Sequence, residues 1–87
     1  MCRIAVFWED QSGPKSQAGM LEDRSRSGAG ISVNKPIPVG AKVKIRGKRR
    51  ELLGVVRYCR REEFKYFVGI QYDGAEDAAW ASFGAGL

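Results

Sequence analysis

Residues 41–47 read AKVKIRG, a stretch in which apolar and basic side chains alternate. Val43 and Ile45 would point to one face of a strand, and the basic residues between them to the other. Because successive side chains of a β-strand project to opposite faces, the alternation predicts a half-buried strand with a basic outer surface. Turn chemistry bounds the stretch on both sides. NKPIPVG at 34–40 contains prolines, which cannot donate to a ladder, and GKRRE at 47–51 is typical of a turn.

Five more segments have the composition of strands, with turn residues between them. They are RIAVFWE at 3–9, a segment at 17–22, GAGISV at 28–33, LLGVVRYCRR at 52–61 and FKYFVGIQY at 64–72. DQSGPK at 10–15 is expected to be a Gly-Pro loop. Six short strands and almost no helix predict an all-β fold, a small six-stranded antiparallel β-barrel, because closure removes exposed sheet edges.

The chain of 87 residues has room for a single domain, with the barrel at about 3–73 and a tail at 74–87. The tail is expected to form one or two helical turns around residues 78–82, with Trp80 packed on the barrel. It would be a short C-terminal helical tail with a frayed, Gly-rich end.

The aromatic residues are expected mostly in the core. Tyr66, Val68, Ile70 and Tyr72 should share one face of the last strand. Phe7 and Trp8 are neighbours, so a regular strand can turn only one of them inward. The other is a candidate for stacking on a base or for docking a partner.

Composition excludes several kinds of site. The chain has no histidine and only two cysteines, Cys2 and Cys59, which are expected to remain thiols. A metal centre is therefore not expected, and neither is a catalytic constellation that uses histidine as the base. We expect a protein that is not an enzyme. No apolar run reaches the roughly 18 residues needed to span a bilayer, and no secretory leader is visible, so membrane insertion is not expected and the expected location is cytoplasmic.

Charge is distributed unevenly along the chain. Residues 42–65 contain ten basic and three acidic residues, a net charge of +7, whereas residues 66–87 carry a net charge of −3. Such a gradient favours an anionic partner for the middle of the chain, although for any single cation there a solvated side chain is the simpler interpretation.

The segment LEDRSRSG at 21–28 raises the question of function. It contains Asp23, Arg24, Ser25, Arg26 and Gly28. A loop could use Asp and Ser to close a turn and Gly to relax the backbone. A nucleotide site could use the same residues, with the carboxylate reading a purine edge and the arginines holding phosphate.

Together with the order of the strands, this segment resembles the PilZ domain, a bacterial receptor for cyclic di-GMP. The residues Asp23-Arg24-Ser25-Arg26-Ser27-Gly28 fit the family's D-x-S-x-x-G motif. Three later stretches match in sequence order: PIPVG at 36–40 leading into K-V-K-I, G-V-V-R-Y at 54–58 and F-V-G-I-Q-Y at 67–72. The similarity covers about residues 3–73 and implies a PilZ-like split barrel with a ligand site on its outer surface.

The resemblance implies ligand-binding roles for particular residues. They are Asp23, Ser25, Gly28, Arg24, Arg26, Arg3 and Arg57. In the family, the Asp and Ser contact guanine, and an R-x-x-x-R motif ahead of the first strand grips guanine and phosphate. Only Arg3 is available for that motif, since its partner would lie upstream of Met1. One lost contact of about 1.5–3 kcal/mol would cost roughly 10- to 100-fold in affinity.

Three functions remain open at this stage. The first is a signalling module that binds cyclic di-GMP, with no other cofactor, and passes its occupancy to a protein partner. The second is a PilZ-like adaptor that does not bind the dinucleotide and acts through protein–protein contacts. The third, the least expected, is a small basic barrel that binds nucleic acid through a cationic groove and stacking aromatics.

Overall fold

The computed structural model describes residues 2–73, and each regular element in that range is a β-strand. The strands are β1 (Cys2–Asp10), β2 (Gly13–Arg24), β3 (Gly28–Val33), β4 (Lys42–Arg46), β5 (Glu51–Glu62) and β6 (Lys65–Tyr72). They form a closed barrel in the order β1-β2-β3-β6-β5-β4, and all neighbouring strands are antiparallel. The all-β, six-stranded antiparallel barrel predicted from the sequence is confirmed. The helical tail predicted for 74–87 lies outside the described residues.

Inward-facing side chains of all six strands form one core. Its buried members are Ile4, Val6, Leu21, Ala29, Ile31, Val33, Ile37, Val43, Ile45, Leu52, Val56, Val68, Ile70 and Tyr72. Ile37 comes from the proline-containing loop between β3 and β4, so this loop also contributes to the core. Val43 and Ile45 are buried, as their alternation predicted.

The neighbours Phe7 and Trp8 point to opposite faces of β1. Trp8 packs against the core, whereas Phe7 lies under the guanidinium of Arg46, which is 4.9 Å from the centroid of the Phe7 ring.

Within residues 2–73 there is no helix long and apolar enough to cross a membrane.

The first hairpin differs from the sequence expectation. β1 and β2 run on into the segment predicted as a loop and leave only residues 11–12 between them. The Ser12 amide donates to the Asp10 carboxylate over 2.8 Å, and this bond lowers the pKa of Asp10. Pro14 is accommodated because β2 pairs with β3 only from Gly19 onward, so the missing amide lies on a part of the strand with one neighbour.

Two β-bulges interrupt the inward–outward alternation. In β2 the register shifts between Leu21 and Asp23, and in β5 it shifts between Val56 and Tyr58. A regular strand would place Asp23 on the same inner face as Leu21, and Tyr58 on the same inner face as Val56. The extra residue in each bulge turns the following side chain to the outer surface.

Candidate ligand-binding groove

An open groove of about 470 Å³ lies on the outer surface of β2, β3, β6 and β5. We call it the Asp23–Tyr58 groove. Its lining residues are Asp23, Arg24, Ser25, Ser27, Gly28, Ala29, Gly30, Arg57, Tyr58, Phe67, Gly69, Ile70 and Gln71. The turn after β2 and the bulge in β5 therefore line the same groove.

Strand pairing defines the floor of the groove. Asp23 is opposite Gly30, Gly30 is opposite Gly69, and Gly69 is opposite Tyr58. These four residues make one row across four strands. With neighbouring strands about 4.8 Å apart, the row is roughly 14 Å wide from Asp23 to Tyr58. A carboxylate and a phenol ring therefore stand at the two ends of a floor made of glycine backbone.

Two aromatic rings cover the glycines. A Cβ atom on Gly30 would meet the Phe67 ring at 2.5 Å, and one on Gly69 would meet the Tyr58 ring at 2.2 Å. The two rings stack with their centroids 6.3 Å apart and an interplanar angle of 26°. Because glycine has no side chain, the rings can lie close to the sheet and form an almost flat platform.

A cation already contacts this platform. The Arg60 guanidinium lies 5.8 Å from the Tyr58 ring centroid and 5.0 Å from that of Phe67, within the range of cation–π attraction. Its Nε donates to the Glu62 carboxylate over 2.8 Å, which helps to hold it there. The platform therefore already holds one flat, cationic group on its face.

Backbone hydrogen bonds fix the turn that carries the D-x-S-x-x-G segment. The Ser25 amide donates to the Gly28 carbonyl over 2.8 Å, and the Tyr72 amide donates to the Ser27 carbonyl over 2.9 Å. A Cβ atom on Gly28 would lie only 2.1 Å from the Ile70 carbonyl oxygen. The glycine of the motif is thus needed for the close approach of β3 to β6. Its φ is not positive, so it is not needed for an unusual turn conformation.

The charged groups at the groove are available for a ligand. Among residues 2–73, the Asp23 carboxylate makes no hydrogen bond or ion pair, and neither Arg24 nor Arg57 forms an ion pair. Burial raises the pKa of nearby Tyr72 to about 12, and the charge of Arg24 opposes this rise. The groove thus offers one anionic and two cationic groups above an aromatic and glycine floor.

The structure gathers most of the sequence-predicted site residues. Asp23, Arg24, Ser25, Gly28 and Arg57 all line the groove. Arg26 is an exposed residue of the same turn and is not part of the lining. Arg3 is elsewhere: it pairs with Met20 in β1–β2 and lines a different groove of about 350 Å³.

The aromatic platform was not predicted from the sequence. Tyr58 and Phe67 were expected with the other aromatic residues mostly in the core, but Tyr58 is 47% exposed and Phe67 is half-buried on the outer face. For Phe67 the signal was present, because its neighbours Tyr66 and Val68 were correctly predicted to face inward. For Tyr58 the signal was hidden by the bulge.

No protein-family model, curated protein or solved structure matches this chain.

Proposed function

We propose that the protein is a PilZ-like receptor module that binds cyclic di-GMP in the Asp23–Tyr58 groove. The observation that supports this most strongly is the convergence of the Asp23 carboxylate, two arginines and a stacked aromatic pair on one open groove. Each of these groups matches a different part of a guanine nucleotide. The module would be non-enzymatic and cytoplasmic, and its occupancy would be passed on to a protein partner.

Asp23 and Ser25, on the β2 side of the groove, would recognise guanine. The base presents an N2 amino group and an adjacent N1–H, which a carboxylate accepts well, so Asp23 is the group that would select guanine. Ser25 stands two residues away on the same rim and can contribute a hydroxyl. Adenine, which lacks a donor pair at this edge, would leave the Asp23 carboxylate facing an acceptor.

The aromatic floor would bind the face of a base. Stacking of a base on an aromatic side chain is worth about 1–3 kcal/mol. The Tyr58–Phe67 pair already binds the flat guanidinium of Arg60, and a purine that stacks on this face would replace this contact. Tyr58 would contribute more than Phe67, because its ring is the more exposed of the two.

Arg24 and Arg57, which line the two sides of the groove, would bind phosphate. An arginine fork binds two phosphate oxygens at once and is more specific for this group than a lysine ammonium. Arg57 is the extra residue of the β5 bulge, and bulges commonly re-aim a side chain next to a functional site. Arg3 has no part in this arrangement, since it lines a different groove.

Isothermal titration of the full chain with cyclic di-GMP tests the proposal. We expect saturable binding that Asp23→Ala weakens roughly 10- to 100-fold, the equivalent of one charge-assisted contact of about 1.5–3 kcal/mol. Arg57→Ala should have a similar effect. Arg49→Ala is the matched control, because this arginine lies on the exposed turn between β4 and β5, away from the groove.

Two results would overturn the proposal. One is that the wild-type chain gives no heat of binding with cyclic di-GMP at high micromolar protein. The spectra of the wild-type and Asp23→Ala chains must then be the same and show that both are folded. The other is binding that is equally strong in the Asp23→Ala, Arg57→Ala and Arg49→Ala variants.

A further inference from the structure

The turn between β4 and β5 lies at the same end of the barrel as the start of β1. Ala5 of β1 pairs with Arg46, the last residue of β4. Arg3 comes two residues before Ala5 and therefore projects from the same outer face, beside the turn that follows Arg46. Together, Arg3 and residues 46–51 carry five cations and one carboxylate, a net charge of +4. We call these charged residues the basic tip; they are Arg3, Arg46, Lys48, Arg49, Arg50 and Glu51.

Three cations of the basic tip are available for a ligand. Within residues 2–73, the side chains of Lys48, Arg49 and Arg50 form no ion pair or hydrogen bond, and all three residues are exposed. The turn itself is closed by the Gly47 amide, which donates to the Arg50 carbonyl over 2.9 Å. Residues 46–51 surround a hollow of about 290 Å³. The backbone of the turn is therefore fixed, while its cationic side chains remain unpaired.

A fourth cation, Arg46, is held in place at the base of the turn. Its Nε donates to the Glu51 carboxylate over 2.6 Å, and its guanidinium lies 4.9 Å from the centroid of the Phe7 ring. Glu51 neutralises part of the charge of the basic tip, and the net charge of +4 includes it. The carboxylate of Glu22 on β2 is used elsewhere, because it contacts Ser32 over 2.6 Å and Lys65 over 3.7 Å.

The opposite end of the barrel has no such excess of positive charge among the described residues. The β1–β2 and β5–β6 turns lie there, since β1 and β5 both start at the basic tip and run away from it. Near these turns and the start of the β3–β4 loop, four cations face four carboxylates. These residues are Glu9, Asp10, Lys15, Lys35, Arg61, Glu62, Glu63 and Lys65. An anionic partner would therefore approach the barrel at the basic tip.

The composition of the basic tip favours the phosphates of a duplex. Four of its five cations are arginines, whose planar fork binds two phosphate oxygens at once. A protein that lies on a lipid surface buries apolar side chains in it, and a single-strand binder stacks bases on aromatic rings. The basic tip exposes neither kind of side chain. The exposed large apolar residues within 2–73 belong to other segments and are Val39, Leu53, Tyr58 and Phe64.

The shape of the β4–β5 hairpin favours DNA over RNA. The hairpin is a two-stranded antiparallel ribbon, paired from Lys42–Val55 to Arg46–Glu51. A ribbon of this kind fits the major groove of B-form DNA, which is about 12 Å wide. The major groove of A-form RNA is too deep and narrow for protein side chains to read.

We propose that the basic tip binds the phosphate backbone of duplex DNA. The β4–β5 turn lies at the mouth of the major groove, and the cations around it contact the phosphates on its borders. Such contacts position a protein on the duplex and carry no direct information about base sequence. This inference does not depend on the proposed nucleotide site, because the basic tip shares no residue with the lining of the Asp23–Tyr58 groove.

The salt dependence of DNA binding by the full chain tests the proposal. A short labelled duplex is titrated with protein at several salt concentrations, without cyclic di-GMP, and binding is followed by fluorescence anisotropy. Each phosphate contact contributes about −0.9 to the slope of log K against log salt concentration, so four contacts predict a slope of about −3.6. Combined replacement Lys48→Ala, Arg49→Ala and Arg50→Ala should weaken binding and leave a slope of about −0.9.

Two further variants separate the basic tip from net charge and from folding. Lys15→Ala, Lys35→Ala and Arg61→Ala together remove three exposed cations from the opposite end and should leave the slope unchanged. Glu51→Gln removes the carboxylate that neutralises Arg46 and should make the slope steeper by up to about 0.9. A variant that folds poorly would not bind DNA more strongly, so this gain reports on charge at the tip.

Three results would overturn the proposal. The first is that the wild-type chain does not bind the duplex at low salt. The second is an equal loss of slope in the two triple variants. The third is stronger binding to a single strand of the same length, to duplex RNA or to vesicles containing phosphatidylserine than to duplex DNA.

Discussion

Gly28→Ala should destabilise the barrel, although glycine to alanine usually strengthens a strand. The added Cβ would lie 2.1 Å from the carbonyl oxygen of Ile70 and 3.1 Å from the carbonyl carbon of the same residue. An ordinary contact is at least 3.4 Å, so β3 and β6 must separate by about 1 Å. Overpacking of this kind costs about 1–3 kcal/mol. The reduced entropy of the unfolded chain returns only about 0.4–1 kcal/mol. We expect a net loss of roughly 1–2 kcal/mol.

The control for this prediction is Gly69→Ala. Its Cβ would also be close to another atom, 2.2 Å from the Tyr58 ring, but that ring is on the surface and can rotate away. We expect its stability to stay within about 0.5 kcal/mol of the wild type. Urea unfolding monitored by circular dichroism measures both, and thermal unfolding should show a Tm lower by roughly 4–8 °C per kcal/mol for Gly28→Ala. Equal stability of the two variants would refute the close-approach role of Gly28.

Three further outcomes follow from the structure. Burial raises the pKa of Tyr72 to about 12 from 10.0, so the unfolded chain ionises first. Stability should therefore fall by about 2–3 kcal/mol as pH rises from 10 to 12, and Tyr72→Phe, compared in urea titrations, should show a shallower fall. Glu22→Ala removes the acceptor of the buried Ser32 hydroxyl, bonded over 2.6 Å, and a 3.7 Å contact with Lys65. It should cost roughly 1–3 kcal/mol in urea unfolding, whereas Glu22→Gln, which keeps an acceptor, should cost less. Phe64→Ser, at a position 96% exposed on the β5–β6 turn, should leave the unfolding midpoint unchanged.

The alternation of side chains made most of the barrel predictable. β3 was predicted with the bounds that the structure shows, β4 was predicted one residue too long at each end, and Val43 and Ile45 were correctly assigned to the core. The first hairpin was missed because a Gly-Pro pair is typical of loops. In the barrel Pro14 belongs to β2, where only one neighbouring strand needs hydrogen bonds.

The candidate site was predictable only in part. The D-x-S-x-x-G segment identified one rim, since those residues are contiguous in the sequence. The opposite rim depends on the β-bulge at Arg57, which turns the Tyr58 side chain to the outer surface. A bulge cannot be recognised from the two-residue alternation of side chains along a strand. The position of Arg3 depends on the register of β1 with β2, a long-range property, and this register places it beside Met20.

The most direct measurement is a titration of the isotope-labelled full chain with cyclic di-GMP, followed by the amide signals of Gly30 and Gly69. These amides belong to the floor of the Asp23–Tyr58 groove, and we expect saturable shifts there while the amide signals of Arg3 and Met20 stay in place. Shifts confined to the Arg3 and Met20 region, or unshifted glycine signals at saturating dinucleotide, would contradict a dinucleotide site in this groove.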